Sequence, residues 1–67
     1  MKSLRVVTNK HGIHTFKAKD GGELKVIEEL PLIKIIAYDK YGRFVERCCT
    51  FHVDIIALYC EDYDSDS

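Results

Sequence analysis

The stretch LIKIIAY, residues 32–38, decides the fold. Three of its seven residues are isoleucine, whose branched β-carbon loses side-chain freedom in a helix and packs well on a pleated strand. The stretch lies between Leu30-Pro31 and the glycine-containing sequence Asp39–Gly42, both of which break regular structure. The sequence therefore predicts a β-strand over 32–38.

Alternate side chains of a strand point to opposite faces of its sheet. One face of 32–38 would carry Ile33, Ile35 and Ala37, and the other would carry Leu32, Ile36 and Tyr38 with Lys34. Both faces are mostly apolar, whereas a sheet with one solvated face alternates apolar and polar residues. The sheet is therefore expected to close into a small barrel or sandwich, or to meet another subunit with its second face.

Turn signals divide the rest of the chain into similar short runs. The segments Asn9–Gly12, Lys19–Gly22 and Asp39–Gly42 each end in glycine, as hairpin loops often require. We expect strands at about 3–8, 13–18, 23–29, 32–38, 43–50 and 53–60. The predicted fold class is all-β, with five or six short antiparallel strands in a small barrel or a strongly twisted sheet.

The C-terminal part of the chain is harder to interpret. Apolar residues in 53–60 also fit helical spacing, so a short helix there is the alternative to a strand. Residues 61–67, EDYDSDS, are acidic and have little to bury. The sequence thus predicts a single β domain over residues 1–60 and a disordered acidic tail over 61–67.

The size of the chain favours self-association. A domain of 67 residues gains little stability from its own core, yet hydrophobic residues make up 46% of this one. Net charge is +4 over residues 1–25 and −5 over 26–67, a polarity that would suit pairing of subunits. We therefore expect a homodimer. The predicted oligomer or partner interface comprises Leu32, Ile36, Tyr38, Ile56 and Leu58.

The stretch RCCTFHVDIIALYC, residues 47–60, holds all three cysteines and raises the question of metal or redox chemistry. Side chains of Cys48 and Cys49 would point to opposite faces of a regular strand, so they would not share one zinc ion. If His52 and Cys60 joined Cys48 at one zinc ion, the fourth ligand of the site would still be missing. We therefore expect buried free thiols, with no metal, no cofactor and no catalytic residue, and the chain is not predicted to be an enzyme.

Nucleic-acid binding is the alternative function. Small β-barrels bind single strands with a basic face and stacking aromatic rings. The first predicted hairpin offers Arg5, Lys10, His14, Phe16, Lys17 and Lys19 for such a face. Against it, the whole protein is slightly acidic, with a net charge of −1.

Protein binding is the preferred expectation. An edge strand accepts a partner strand, and a strand that is apolar on both faces provides a patch. No signal peptide or membrane span is visible, which predicts a cytoplasmic protein without membrane contact. By association with its size, we expect a small regulator or inhibitor from a bacterium or a bacteriophage, acting on an unidentified larger protein as well as on itself.

Overall fold

The computed structural model describes residues 1–63, and this part of the chain is all-β. Its strands are β1 (Ser3–Thr8), β2 (Gly12–Lys17), β3 (Glu23–Glu29), β4 (Leu32–Tyr38), β5 (Phe44–His52) and β6 (Ile56–Glu61). The predicted strands are confirmed, with ends that shift by at most three residues. One turn of 3-10 helix, Val53–Ile55, occupies the start of the last predicted strand. The nitrogen Nδ1 of His52 caps this turn by accepting the N–H of Asp54.

The six strands form two antiparallel sheets of three strands each. The first sheet has the order β2-β1-β6, and the second sheet has the order β3-β4-β5. Met1 and Leu24 join them at one corner, where the N–H of Leu24 donates to the carbonyl of Met1 over 2.8 Å. The predicted barrel or single twisted sheet is wrong, because within residues 1–63 the outer strands β2 and β6 of the first sheet do not pair with the outer strands β3 and β5 of the second sheet. The sandwich that the apolar faces also allowed is the observed arrangement.

The core lies between the two sheets. Leu4 and Val6 of β1 face Leu24 of β3 and Ile35 of β4, and all four side chains are at least 98% buried. The ring of Phe51 completes this layer. Burial of each such side chain contributes roughly 1.5–3 kcal/mol, so these residues supply most of the cohesion between the sheets.

The second face of β4 is covered at Ile36 but not at Leu32, which is 38% exposed. Ile36 is only 9% exposed although it points away from the core. Its partners in register are Lys25 on β3 and Arg47 on β5, two residue types whose long aliphatic stems can cover apolar surface while their charges stay in solvent. The apolar second face of this strand therefore needs less cover from a partner than its sequence indicates.

Residues 61–63 belong to the fold, which corrects the predicted disorder from residue 61 onward. Glu61 is the last residue of β6. The N–H of Asp62 donates to the carbonyl of Ser3 over 2.7 Å, and its carboxylate accepts the N–H of Lys2 over 2.7 Å. The ring of Tyr63 lies 4.5 Å from the guanidinium carbon of Arg5. The composition of the tail does not predict these contacts, because they join residues that are about sixty positions apart in the chain. The remainder of the predicted tail, 64–67, lies outside the described residues.

Candidate functional site

Strand β6 is an outer strand of the first sheet and is open to solvent. Every residue from Ala57 to Glu61 is exposed. The first five residues of the strand, IALYC, contain no charge and no proline. Proteins usually protect an edge strand with lysine, proline or a bulge, because unpaired N–H and C=O groups otherwise recruit another strand. These five residues contain neither lysine nor proline, and the bulge that β6 does carry lies at Ala57, near the start of the strand.

An apolar groove runs along β6 on the open side of the sandwich. Its volume is about 460 Å³, and it separates β6 from β3. We call it the edge groove; it is lined by Val26, Glu28, Leu30, Ile33, Val53, Ile56, Ala57, Leu58 and Tyr59. Leu30 is 71% exposed and Tyr59 is 54% exposed. The groove is thus an accessible apolar surface bordered by two strands with a free edge each.

A second apolar feature crosses the outer face of the first sheet. Val7 on β1 is in register with Ile13 on β2 and with Leu58 on β6. Partners in register share a face, so these three side chains form one row. Ile13 is 64% exposed and Leu58 is 57% exposed. Leu58 therefore belongs both to this row and to the edge groove.

The five residues predicted to form an interface do not lie in one patch. Ile36 is covered by its neighbours, and Ile56 is half-buried against the core. Tyr38 is also half-buried, with Nζ of Lys25 lying 5.1 Å from its ring centre. Leu32 and Leu58 are exposed, but Leu32 is on the second sheet and Leu58 on the first. Of the predicted set, Ile56 and Leu58 line the edge groove.

The six residues suggested for nucleic acid are also divided. His14 and Phe16 point into the sandwich, where their rings meet the edge of Phe51 at centroid distances of 5.3 and 6.3 Å. Arg5 and Lys17 lie near one another on the first sheet, and both have the ring of Tyr63 close by. Lys10 is in the turn between β1 and β2, and Lys19 follows β2. The aromatic rings and the basic groups of this set therefore do not share a face.

The cysteines lie in two places. A bulge in β5 makes Cys48 an extra residue between Cys49 and Arg47, which pair with Ile35 and Ile36. Because of this bulge both Cys48 and Cys49 pack against the core, so the expectation that they point to opposite faces is wrong here. Burial is the main cause that raises the pKa of the Cys48 thiol, with the nearby Glu46 carboxylate adding to it. Cys60 on β6 is exposed, so the expectation of a buried thiol is wrong for this residue.

Within residues 1–63, no group of three or more His, Cys, Asp or Glu side chains is arranged to hold a metal ion. That range also contains no helix long and apolar enough to cross a membrane. Nε2 of His14 is buried without a hydrogen-bond partner, and its ring contacts the apolar Phe51.

A second cavity lies at the other end of β4 and has a volume of about 310 Å³. It is formed by the loop after β2, the end of β4 and the start of β5. We call it the bulge pocket; its lining is Lys17, Lys19, Asp20, Ala37, Tyr38, Asp39, Lys40, Tyr41, Val45, Glu46 and Cys48. It shares no lining residue with the edge groove.

Sequence reasoning missed Leu30 and Tyr59 of the edge groove. The sequence predicts only a break in regular structure at Leu30 and only a strand at Tyr59. The uncharged run IALYC was the available signal, since an edge strand without charge or proline is uncommon. Which strand lies at an edge follows from the sheet order, and the sequence does not specify that order.

Comparisons with protein-family models, with curated proteins and with solved structures found no match to this chain.

Proposed function

We propose that this protein is a non-enzymatic protein-interaction module that pairs with a second copy of itself through β6. The observation that carries the proposal is the exposed edge of β6, whose run IALYC has no charge and no proline. An edge of this kind accepts another strand through backbone hydrogen bonds, and neighbouring pockets then take alternate side chains. The edge groove supplies such a pocket directly beside the strand.

A two-fold pair suits this surface. In an isologous interface the same patch of both subunits meets itself. Two antiparallel copies of β6 would join the two first sheets into one sheet of six strands. Leu58 of each copy would then continue the apolar row of Val7 and Ile13 across the junction, and both edge grooves would lie next to the new strand pair.

Energetics support the pairing. A core of this size rarely supplies more than ~3–5 kcal/mol, and the three cysteines are free thiols without disulfide support. Covering one large aliphatic side chain contributes roughly 1.5–3 kcal/mol. Leu58 and Tyr59 of two copies provide four large side chains that are each more than half exposed in the single chain, which is enough to offset much of the cost of association.

The experiment compares two matched substitutions, Leu58→Glu and Leu32→Glu. Both place a carboxylate at an exposed leucine of a strand, one on β6 and one on the outer face of the second sheet. Sedimentation velocity at several concentrations should show a dimer for wild type and for Leu32→Glu, and a folded monomer for Leu58→Glu. Dissociation by Leu32→Glu with an unaffected Leu58→Glu would assign the interface to the second sheet and contradict the proposal.

The same surface would serve a larger protein that donates a strand, and a role as a small bacterial or phage regulator remains part of the proposal. Nucleic-acid binding remains the alternative. Arg5 and Lys17 on the first sheet support it, whereas the inward rings of His14 and Phe16 remove the stacking surface that single strands require.

A further inference from the structure

The inner face of β6 is left open on one side of the sandwich. Tyr59 is in register with Val6 of β1, and partners in register share a face of their sheet. Val6 is buried in the core at 2% exposure, so Tyr59 also points to the inner side. Tyr59 is nevertheless 54% exposed, because the edge groove separates β6 from β3. The inner layer of the sandwich is therefore accessible along this strand.

The opposite wall of the edge groove carries a carboxylate. Leu24 of β3 lies in the core, and alternate residues of a strand share a face, so Val26 and Glu28 point the same way. Glu28 is in register with the core residue Ile33. Within residues 1–63 it is the one charged residue that lines the groove. The groove thus combines apolar walls with a single negative charge on its inner side.

The charge of Glu28 has no partner in the part of the chain that the structure describes. The adjacent Glu29 forms an ion pair with Lys34. Within residues 1–63, the Glu28 carboxylate forms neither an ion pair nor a hydrogen bond. Glu28 is exposed to solvent. A segment that fills the groove would remove part of the surrounding water, which is costly for a carboxylate unless a cation takes its place.

The inward charge also distinguishes the two strands that border the groove. A charged residue that points inward protects an edge strand from pairing, and Glu28 protects β3 in this way. The run IALYC of β6 has no charge. A strand that enters the groove is therefore expected to pair with β6 and to turn one row of its side chains toward Glu28.

A second copy of β6 does not neutralise this carboxylate. The strand Ile56–Glu61 contains no basic residue and ends in a further carboxylate. It would cover the apolar part of the groove and leave Glu28 unpaired. An unpaired charge of this kind selects against one partner and in favour of another that supplies the opposite charge.

We propose that the edge groove receives a β-strand of another protein, with apolar side chains at alternate positions and a lysine or arginine that meets Glu28. Its backbone would pair with β6, and its apolar row would cover Tyr59 and Leu30. Its basic residue would distinguish it from a second copy of this chain. The inference rests on the proposed use of β6 as a pairing edge and adds the chemistry of the partner.

The test titrates two blocked peptides, TVTKTVT and TVTETVT, into isotope-labelled protein followed by amide NMR. Because β6 has six residues, a peptide of about seven residues spans it. TVTKTVT should shift the signals of Ala57, Leu58 and Tyr59 in a saturable way, with a Kd of about 1 mM or below. The signal of Ala37 in the bulge pocket should stay unchanged. TVTETVT should bind at least about fivefold more weakly.

Three variants assign this preference to Glu28. Glu28→Gln should bring the two peptides to similar affinity, and Glu28→Lys should favour TVTETVT over TVTKTVT. Glu29→Gln makes the same change in net charge as Glu28→Gln, but on the opposite face of β3. It should keep the preference for TVTKTVT at about fivefold. Both glutamates are exposed, so all three variants are expected to fold.

Absence of saturable shifts on β6 with TVTKTVT would overturn the groove as a site for a partner strand. Equal binding of both peptides to wild type, or a preference that survives Glu28→Gln, would overturn the pairing with Glu28 and leave its charge as protection of β3. Sedimentation of the wild-type chain without peptide tests self-pairing separately. A dimer that binds no peptide contradicts this inference alone, whereas peptide binding by a chain that stays monomeric contradicts self-pairing alone.

Discussion

The carboxylate of Asp62 accepts the backbone N–H of Lys2 over 2.7 Å, and so ties the two ends of the chain together. The same oxygen lies 3.4 Å from the N–H of Ser3, and the N–H of Asp62 donates back to the carbonyl of Ser3. Asp62 adopts a φ of +52°, a left-handed conformation that Asp tolerates better than most residues. This contact holds β6 in register against β1 and thereby positions the edge on which the proposed function depends.

Asp62→Ala should lower stability in a pH-dependent way. The Lys2 N–H is the main cause that lowers the pKa of Asp62 below its ordinary value of 3.8. A lowered folded pKa means that the contribution is fully present above pH 3.8 and is lost as pH falls through the folded pKa. Thermal unfolding should therefore show a lower Tm for the variant at pH 7 and a shrinking difference from wild type below pH 3.8. Glu61→Ala, the matched loss of an adjacent exposed carboxylate, should show neither effect, and a difference independent of pH would contradict this account.

Gly22→Ala should destabilise the fold more than Gly42→Ala. A Cβ at Gly22 would meet the Tyr38 carbonyl oxygen at 2.2 Å and the Lys19 carbonyl oxygen at 3.0 Å, both backbone atoms. Overpacking of this kind costs about 2 kcal/mol or more. Gly42 has a φ of +81° but nothing within 4 Å, so alanine there should cost only the left-handed strain of about 1–2 kcal/mol. Urea unfolding of both variants measures the difference, and an equal or reversed order would show that the loop is free to move away.

Cys60 should report the contact between two copies. It is the exposed cysteine on β6, whereas Cys48 and Cys49 are half-buried in β5. Pairing of β6 with β6 brings the two Cys60 thiols within reach of a short bismaleimide, because the paired strand is only six residues long. We expect a covalent dimer in wild type and none in Cys60→Ser. A covalent dimer that forms equally well in Cys60→Ser would place another cysteine at the contact and refute pairing through β6.

Single-stranded DNA should not bind with micromolar affinity at low salt. Binding without sequence preference needs aromatic stacking together with a basic groove, and His14 and Phe16 are turned toward Phe51. A fluorescence titration at two salt concentrations measures this. Salt-sensitive binding that disappears when Lys10 and Lys17 are changed to Glu would favour the alternative function instead.

The strands of this fold could be predicted from the sequence because local signals agree along the chain. Isoleucine-rich runs such as 32–38 alternate with glycine turns such as Asp39–Gly42, and each signal acts within a few residues. Closure into a barrel was not predictable in the same way. It depends on whether the outer strands of the two sheets, β2 and β6 on one and β3 and β5 on the other, pair with each other, and that is decided by the packing of whole sheets.

The surfaces were less predictable than the strands for two physical reasons. The sequence pattern predicts an available Ile36, but this side chain is only 9% exposed and lies in register between Lys25 and Arg47 of the neighbouring strands. The bulges at Val45 and Cys48 could not be predicted from the residues around them. A bulge arises because one strand has an extra residue relative to its partner strand, and that depends on both strands. Leu58 is exposed on the last strand, and its role at an interface remains a prediction.

The molar mass of the wild-type chain in solution tests the central claim most directly. The chain has a mass of 7.7 kDa, and pairing through β6 predicts twice that value by light scattering at tens of micromolar, falling toward the single-chain mass on dilution. A mass that stays at 7.7 kDa across this range would contradict self-association. The exposed edge of β6 would then have to be covered by a different protein.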